Sequence, residues 1–274
     1  MTERLLNLPN LAASYRMQRL FPSRQAAIIC PIDHGLIFPR ERMRGLEAPA
    51  DVLHGLKDQG ATGFMMSPGL VKQTQMELGQ AGHLSRVMAI DSFWPISDAM
   101  SGFGNLIATV EDAVRLGVDC VKLLMPWNVP HEQKVKLTER LGHVISEAGR
   151  WQMPVMVEPV LIGAERTRET LAAEFEISRI AYDLGADIIK IAFPGAEATA
   201  RLVGELKVPL VIAGGPLLAG EPARALREVE EAVSAGAQGL IVGRNVWSRD
   251  PGAAAEMMAE LGRIARSHHV HRAW

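Results

Sequence analysis

The most informative segment of the chain spans residues 186–194 and reads Ala-Asp-Ile-Ile-Lys-Ile-Ala-Phe-Pro. It is short, almost wholly apolar and rich in isoleucine, which is typical of a parallel strand buried on both faces and ending in a loop. Lys190 lies inside it, where an unpaired charge would be costly. Either Lys190 has a chemical role, as a desolvated amine that forms a Schiff base, or it reaches past the strand end or neutralises a nearby carboxylate.

Similar apolar runs recur along the chain, and helical patterns separate them. The predicted strands are Gln25–Asp33, Ala61–Ser67, Ser85–Asp91, Cys120–Trp127, Pro154–Leu161, Ala186–Pro194, Pro209–Gly215 and Gly239–Trp247. The predicted helices are Asp51–Gln59, a stretch ending at Gly79, Ala108–Leu116, His131–Gln152, Leu171–Leu184, Ala196–Leu206, Glu221–Ala235 and Gly252–Ser267. Several helices end a few residues before a strand at glycines, as such connections prefer: Gly60, Gly117, Gly185 and Gly236.

Eight alternations predict an α/β fold, a closed (β/α)8 TIM barrel, in preference to an open doubly wound sheet. No GxGxxG motif follows the first strand, which counts against a dinucleotide-binding fold. The first 21 residues look like an amphipathic helix, a short N-terminal helical extension of the barrel. We therefore expect residues 1–274 to form a single domain.

The composition is ordinary, with 274 residues, 48% of them hydrophobic and 22% charged, and a net charge of -2. This balance gives no sign of a nucleic-acid or membrane partner, and neither a membrane-spanning run nor a signal peptide is evident, so we expect a cytoplasmic protein. Cys30 and Cys120 are expected to be core thiols. The histidines of residues 268–271 could chelate a metal, but a frayed tail is the preferred interpretation, and no metal is expected.

Barrel enzymes carry their active sites at the C-terminal ends of the strands. Among the charged residues that fall in or at the end of predicted strands, four are the candidates for a site: Asp33, Lys122, Glu158 and Lys190. If their side chains point inward, all four reach the same mouth of the barrel, which predicts a shared site. The alternative is structural, with Asp33 capping a loop and Lys122 paired with Glu158.

The shared site predicts Schiff-base chemistry. Lys190 attacks a ketone carbonyl, while Lys122 lowers the pKa of Lys190 and holds a substrate oxyanion or hydroxyl. Glu158 moves protons as the carbinolamine dehydrates, with a pKa near neutrality that partial burial would give. Asp33 accepts the proton of the C4 hydroxyl, so that the C3–C4 bond breaks. The protonated Schiff base on Lys190 takes up the electrons, so no cofactor is needed.

The loops after the last two strands predict a phosphate site. Glycines there let backbone N–H groups approach an anion, and an arginine adds a bidentate contact: Gly214, Gly215, Gly243 and Arg244. Tight turns also need glycine, which is the competing explanation. His34 is a further substrate-binding candidate beside Asp33. The other half of the substrate would be read by the loops after the first three strands, with four candidates: Arg40, Arg42, Ser67 and Ser92.

Three segments carry a resemblance to a known family: residues 31–35 (Pro-Ile-Asp-His-Gly), Ala186–Ile191 and Gly239–Trp247. The chain resembles the archaeal-type (DhnA-like) class I fructose-bisphosphate aldolases from about residue 25 to 265. Relatives in that family act on aminodeoxyheptulosonate precursors and on the phosphorylated autoinducer-2 signal. The resemblance implies a TIM barrel, the Schiff-base lysine at Lys190, an aspartate at Asp33, phosphate binding at the four residues above, and a homo-oligomer.

The fifth strand departs from that family. Archaeal-type aldolases carry a tyrosine followed by Pro-Arg-Gly there, whereas residues 157–160 read Val-Glu-Pro-Val. Glu158 with Lys122 instead looks like the tagatose-bisphosphate and sulfofructose-phosphate aldolases, and animal-type class I aldolases hold the same Asp, Lys, Glu and Lys set. The two resemblances agree on the chemistry and differ on the substrate.

The sequence thus predicts a metal-independent class I aldolase, an aldehyde-lyase that cleaves a phosphorylated ketose to dihydroxyacetone phosphate and an aldehyde. The ketose would be a 1-phosphate or 1,6-bisphosphate, sulfofructose 1-phosphate included. One alternative is a Schiff-base transferase or thiolase related to the autoinducer-2 or aminodeoxyheptulosonate enzymes. Another is a non-catalytic phosphosugar-binding barrel, although a binder has no need to hold all four charged residues.

Overall fold

The computed structural model describes residues 11–22, 25–92, 105–165, 167–215 and 222–267. Within them, eight parallel strands form a closed barrel in which neighbours in the chain are neighbours in the sheet, and the last strand pairs with the first. The strands are β1 (Ala27–Pro31), β2 (Gly63–Met66), β3 (Ser85–Ala89), β4 (Cys120–Pro126), β5 (Val155–Val160), β6 (Ile188–Ala192), β7 (Leu210–Ala213) and β8 (Gly239–Ile241). The predicted (β/α)8 TIM barrel is confirmed.

Helices pack around this barrel. They are α1 (Leu11–Leu20), α2 (Pro49–Leu56), α3 (Pro68–Gln73), α4 (Gln75–Gln80), α5 (Val110–Arg115), α6 (His131–Trp151), α7 (Arg168–Asp183), α8 (Ala196–Leu206), α9 (Pro222–Ser234), α10 (Arg244–Trp247) and α11 (Pro251–Ser267). The four glycines predicted at helix ends all have a left-handed φ, between 66° and 104°. Among the described helices, none is both long and apolar enough to cross a membrane.

Alternation along each strand produces two apolar layers, because successive side chains point to opposite faces. The outward layer packs against the helices and includes Cys30, Val121 and Ile189. The inward layer fills the barrel and includes Ile29, Cys120, Met156, Ile188 and Val211. Both cysteines are buried and free, as predicted.

Helix α1 closes the N-terminal end of the barrel. Met17, Leu20 and Phe21 pack onto the inward layer. Arg19 holds the helix in place: its Nε donates to Asp119 Oδ1 at 2.7 Å, and its other two nitrogens donate to the carbonyls of Gly82 and Leu84. The predicted helical extension therefore forms part of the core, at the end of the barrel remote from the C-terminal strand ends.

The prediction of a strand over Gly239–Trp247 is wrong in its second half. The strand ends at Ile241, and residues 244–247 form helix α10. Trp247 is buried, but as a helical residue whose Nε1 donates to the carbonyl of Pro31 at 3.1 Å. Gly243 makes this change of direction possible, because a Cβ there would lie 2.8 Å from Pro31 Cγ. An apolar run alone could not distinguish these two forms of burial.

The structure also differs from the sequence prediction in the segments that follow β1 and β3. The segment after β1 forms two short 3-10 turns, His34–Leu36 and Arg40–Arg42, and Asp91–Ser92 pairs with Asn105–Leu106 beyond β3. Two features considered above lie outside the described residues: residues 1–10 of the predicted N-terminal helix and the histidines of residues 268–271.

Candidate active site

A cavity of about 410 Å³ opens at the C-terminal ends of the barrel strands. Loops and strand ends from six of the eight strands contribute to its lining. The four predicted catalytic residues, His34 and the four predicted phosphate-binding residues all line it: Asp33, Lys122, Glu158, Lys190, His34, Gly214, Gly215, Gly243 and Arg244. The structure therefore brings together charged groups that are up to 211 positions apart in the chain, counting from Asp33 to Arg244 (244 minus 33).

Strand geometry explains why the charged side chains meet. Lys122, Glu158 and Lys190 each stand two residues after an inward-facing apolar residue, so each points into the barrel one layer higher. Leu124, and not Lys122, is opposite Glu158 in the register of β4 and β5, so Lys122 starts deeper than Glu158. Lys122 is 1% exposed and Lys190 is 8% exposed, which makes Lys190 the more accessible amine.

The two lysines share one carboxylate. Glu158 Oε2 lies 2.8 Å from Lys122 Nζ, and Glu158 Oε1 lies 2.8 Å from Lys190 Nζ. Burial raises the pKa of Glu158, but the charges of both lysines and the hydrogen bonds they donate outweigh it and lower the pKa to about 2. The predicted pKa near neutrality is therefore wrong for the free protein, because partial burial acts against two adjacent cations.

Lys122 is held as a cation. Burial lowers its pKa, but the negative charges of Glu158, Asp91 and Asp33, together with the hydrogen bond to Glu158, raise it above its ordinary value. At neutral pH, Lys122 is thus a fixed positive charge at the floor of the cavity.

Asp33 and His34 stand at the end of β1. Asp33 is buried, and its Oδ1 lies 3.6 Å from Nδ1 of His34. The imidazole stacks on Phe38 with ring centres 5.8 Å apart and meets Trp247 edge-on at 5.1 Å. Burial lowers the pKa of His34 to about 4, assisted by the charges of Lys190 and Arg244 and opposed by Asp33. His34 is therefore neutral at physiological pH.

The loops after β7 and β8 are joined to each other. Gly214 N–H donates to the carbonyl of Ile241 at 2.9 Å, and Asn245 Nδ2 donates to the carbonyl of Gly214 at 2.8 Å. A Cβ on Gly214 would meet Val242 Cγ1 at 3.1 Å, so a glycine lets the two loops approach. Arg244 follows at the start of α10 and lines the cavity, and burial lowers the pKa of its guanidinium.

The four residues considered as contacts for the other half of the substrate have different environments. Arg42 lines the cavity, with its guanidinium carbon 6.0 Å from the centre of the Phe38 ring. Ser67 instead caps α3 by accepting a hydrogen bond from Leu70 N–H, Ser92 donates to the carbonyl of Leu36, and Arg40 is exposed.

Sequence reasoning missed Asp91. This carboxylate is 3% exposed and accepts a hydrogen bond from Leu124 N–H at 2.8 Å. Burial raises its pKa to about 6, although the charge of Lys122 and the bond from Leu124 oppose the rise. The available signal was the one that identified Asp33, an acidic residue at the end of an apolar run.

Sequence reasoning also missed the apolar part of the lining, which includes Leu124, Val160, Leu161 and Ile162. Apolar residues at strand ends are ordinary in a barrel, so nothing in the sequence distinguished these from the core.

Comparison with known proteins assigns the chain to a family. The sequence model of the DeoC/LacD family aldolases matches residues 27–249. An uncharacterized aldolase of Saccharolobus solfataricus is 27% identical over 250 residues, which is 88% of this chain and 90% of that protein. The 2-amino-3,7-dideoxy-D-threo-hept-6-ulosonate synthase of Halobacterium salinarum is 29% identical over 228 residues, 81% of each protein.

Solved structures of aldolases have the same fold. A Schiff base forming fructose-1,6-bisphosphate aldolase superposes with a TM-score of 0.78 at 25% identity, covering 92% of this chain and 99% of that one. An archaeal fructose 1,6-bisphosphate aldolase gives a TM-score of 0.79 at 24% identity, covering 93% and 99%. The resemblance to archaeal-type aldolases is confirmed, whereas the likeness of Glu158 to tagatose-bisphosphate aldolases stays a prediction.

Proposed function

We propose, from the premise that the chain belongs to the DeoC/LacD family of aldolases, that it is a metal-independent Schiff-base aldolase. It cleaves a ketose 1-phosphate or 1,6-bisphosphate, sulfofructose 1-phosphate included, to dihydroxyacetone phosphate and an aldehyde. One observation carries the proposal: a single carboxylate, Glu158, lies 2.8 Å from each of two lysines at the floor of a cavity. A nucleophile and a fixed cation thus each contact one proton carrier.

Lys190 is the nucleophile, because it is the more exposed of the two amines and Lys122 is held as a cation. To attack the C2 carbonyl, the ammonium of Lys190 first loses a proton, and Glu158 is within hydrogen-bond distance to take it. Lys122 stabilises the oxyanion that forms at C2 and donates a proton to it. Lys122 then recovers a proton from the attacking nitrogen of Lys190, which becomes the neutral carbinolamine nitrogen.

Glu158 then acts as an acid in the intermediate. In the free protein its low pKa depends on two cations, and one of them disappears when the amine of Lys190 becomes the neutral carbinolamine nitrogen. The pKa of Glu158 therefore rises as the reaction proceeds, and its proton leaves with the C2 hydroxyl as water. The product is the protonated imine on Lys190, with no net change in protons.

Asp33 is the base for carbon–carbon cleavage. It is buried in the cavity wall at the end of β1, close enough to Lys122 to raise that lysine's pKa. Asp33 accepts the C4 hydroxyl proton, the C3–C4 bond breaks, and the electron pair moves into the imine to give an enamine. Because the protonated imine is the electron acceptor, the reaction as proposed needs no metal.

The 1-phosphate binds at the loops after β7 and β8. Gly215 offers a backbone N–H group, whereas the N–H of Gly214 is bonded to Ile241 and that glycine serves to let the two loops approach. Gly243 and Arg244 stand beside them on the adjoining loop. His34, which is neutral, is a hydrogen-bonding partner for a substrate hydroxyl. These assignments follow the position of each residue on the cavity wall.

Exchange of hydrogen for deuterium at C3 of dihydroxyacetone phosphate tests the proposal, because a reversibly formed enamine is protonated at that carbon. Proton NMR in deuterated water with EDTA should show exchange for the wild type and for Lys136→Met, which removes an exposed lysine, but not for Lys190→Met. Exchange that EDTA abolishes would contradict metal independence, and exchange in Lys190→Met would contradict the choice of lysine.

Transfer is a second candidate, and the names of the relatives favour it. Besides the Halobacterium protein, a Streptomyces griseus protein that is 28% identical over 91% of this chain is a 2-amino-4,5-dihydroxy-6-oxo-7-(phosphonooxy)heptanoate synthase. Adding aspartate semialdehyde or coenzyme A to the enzyme with a ketose phosphate separates the two. Transfer gives a coupled product by mass spectrometry, and simple cleavage gives the free aldehyde.

We further propose a homo-oligomer that acts on a phosphorylated sugar, on the family resemblance. Light scattering coupled to size exclusion tests the assembly, since a monomer mass of 29.8 kDa would contradict it.

A further inference from the structure

We infer that the part of the substrate released as the aldehyde carries no anionic group and packs against an apolar wall of the cavity. The inference rests on the proposed aldolase function and narrows it, because it selects a ketose monophosphate over a bisphosphate.

The cavity has a cationic side. Arg42 and Arg244 both line it, and their guanidinium carbons lie 6.0 and 5.5 Å from the centre of the same Phe38 ring. The charge of Arg42 contributes to lowering the pKa of Arg244, so the two cations act on the same region. Arg244 follows β8 and Arg42 follows β1, which are paired strands. This side suits one phosphate dianion.

The apolar wall lies across the barrel. In a closed ring of eight sequentially ordered strands, β4 is opposite β8 and β5 is opposite β1. Leu124 on β4 and Val160 and Ile162 at the end of β5 pack against one another and line the cavity. Of the described residues that line the cavity on this side, the cations are Lys122 and Lys190, which already share the carboxylate of Glu158.

The wall is a fixed surface. The side chain of Asn128 makes two hydrogen bonds to the backbone of Ile162: Nδ2 donates to its carbonyl at 2.7 Å, and Oδ1 accepts from its N–H at 2.8 Å. This clamp holds Ile162 against Leu124, and the two side chains are 9% and 5% exposed.

Lys190 sets the direction of the substrate. It stands on β6, between the phosphate loop of β7 and the apolar end of β5. With C2 bonded to Lys190, the 1-phosphate at β7 and β8 and the C4 hydroxyl at Asp33, the carbons beyond C4 run toward Leu124 and Ile162. Among the described residues that line this wall, a phosphate or sulfonate would lose water without gaining a free cation, whereas hydrogen and uncharged hydroxyl groups would lose much less.

The test compares glyceraldehyde with glyceraldehyde 3-phosphate as acceptors for dihydroxyacetone phosphate, since the two differ only in the terminal phosphate. The wild type should show a kcat/KM about tenfold or more higher for glyceraldehyde. Ile162→Lys places a cation in the wall and should shift that ratio toward the phosphorylated aldehyde by about tenfold. Val135→Lys, on the exposed face of α6, is the control and should leave the ratio unchanged.

Equal rates, or a preference of the wild type for glyceraldehyde 3-phosphate, would overturn the inference while leaving the aldolase proposal intact. An unchanged ratio in Ile162→Lys, in protein that still forms a borohydride-trapped adduct with dihydroxyacetone phosphate, would also overturn it. Failure of the wild type to turn over either aldehyde, with no trapped adduct, would instead refute the aldolase proposal and the inference with it.

Discussion

Glu158→Gln removes the carboxylate that separates Lys122 from Lys190 and keeps nearly the same shape. The two cations lower the pKa of Glu158 from 4.5 to about 2 in the folded protein. Because one pKa unit is equivalent to about 1.4 kcal/mol, the ionised carboxylate stabilises the folded state by about 3 kcal/mol. Removing one partner of a buried ion cluster leaves the others uncompensated, so the variant should unfold more easily by roughly that amount at pH 7.

The pH dependence of this loss has a defined sign. A carboxylate whose pKa is lower in the folded chain than in the unfolded chain binds fewer protons when folded. Its stabilising effect is complete above about pH 4.5 and disappears as the pH falls toward 2. The difference in unfolding free energy between wild type and Glu158→Gln should therefore be constant near neutrality and shrink in acid.

Urea denaturation at several pH values measures this difference. Glu205→Gln is the matched control, because Glu205 pairs with Arg201 on an exposed helix face and its removal should leave the unfolding free energy nearly unchanged. If Glu158→Gln were as stable as the wild type at pH 7, the two lysines would not depend on this carboxylate, and the account of the cavity floor would be wrong.

Three further variants separate the proposed roles. Asp33→Asn should reduce aldol cleavage by about 10²- to 10⁴-fold while the imine on Lys190 still forms, which borohydride trapping beside a cleavage assay would show. Lys122→Met should slow formation of that imine by about tenfold or more, measured as the trapping rate, because the oxyanion at C2 loses its fixed cation; an unchanged rate would reduce Lys122 to a structural partner of Glu158. Arg244→Ala should raise the KM for dihydroxyacetone phosphate by about ten- to a hundredfold with a smaller change in kcat, since a charge-assisted contact contributes about 1.5–3 kcal/mol; an unchanged KM would place the phosphate elsewhere.

The barrel and its charged residues were predictable because both depend on short-range patterns. Regular alternation of apolar strands and helical segments is enough to indicate the closed barrel. Lys190 and Lys122 were recognisable because a lysine inside a buried strand conflicts with its surroundings. The period of two along a strand then places both side chains on the inward face, together with Glu158.

The remaining features depend on where separate segments meet. The pKa of Glu158 could not be predicted, because it is set by two lysines from neighbouring strands at 2.8 Å and not by burial alone. The wall residues Leu124 and Ile162 carry no polar signal, and only the structure shows that they line the cavity. The mistaken strand over residues 242–247 has the same origin, since Trp247 is buried by a contact with Pro31, 216 positions earlier.

The site of covalent attachment gives the most direct test of the Schiff-base mechanism. Wild-type protein is treated with dihydroxyacetone phosphate and borohydride, and peptide mapping by mass spectrometry locates the reduced adduct. We expect one modified lysine, Lys190, and no adduct in Lys190→Met. An adduct on Lys122, or one that persists in Lys190→Met, would show that Lys190 is not the amine that forms the Schiff base. No adduct at any residue of the wild-type protein would contradict the Schiff-base mechanism itself.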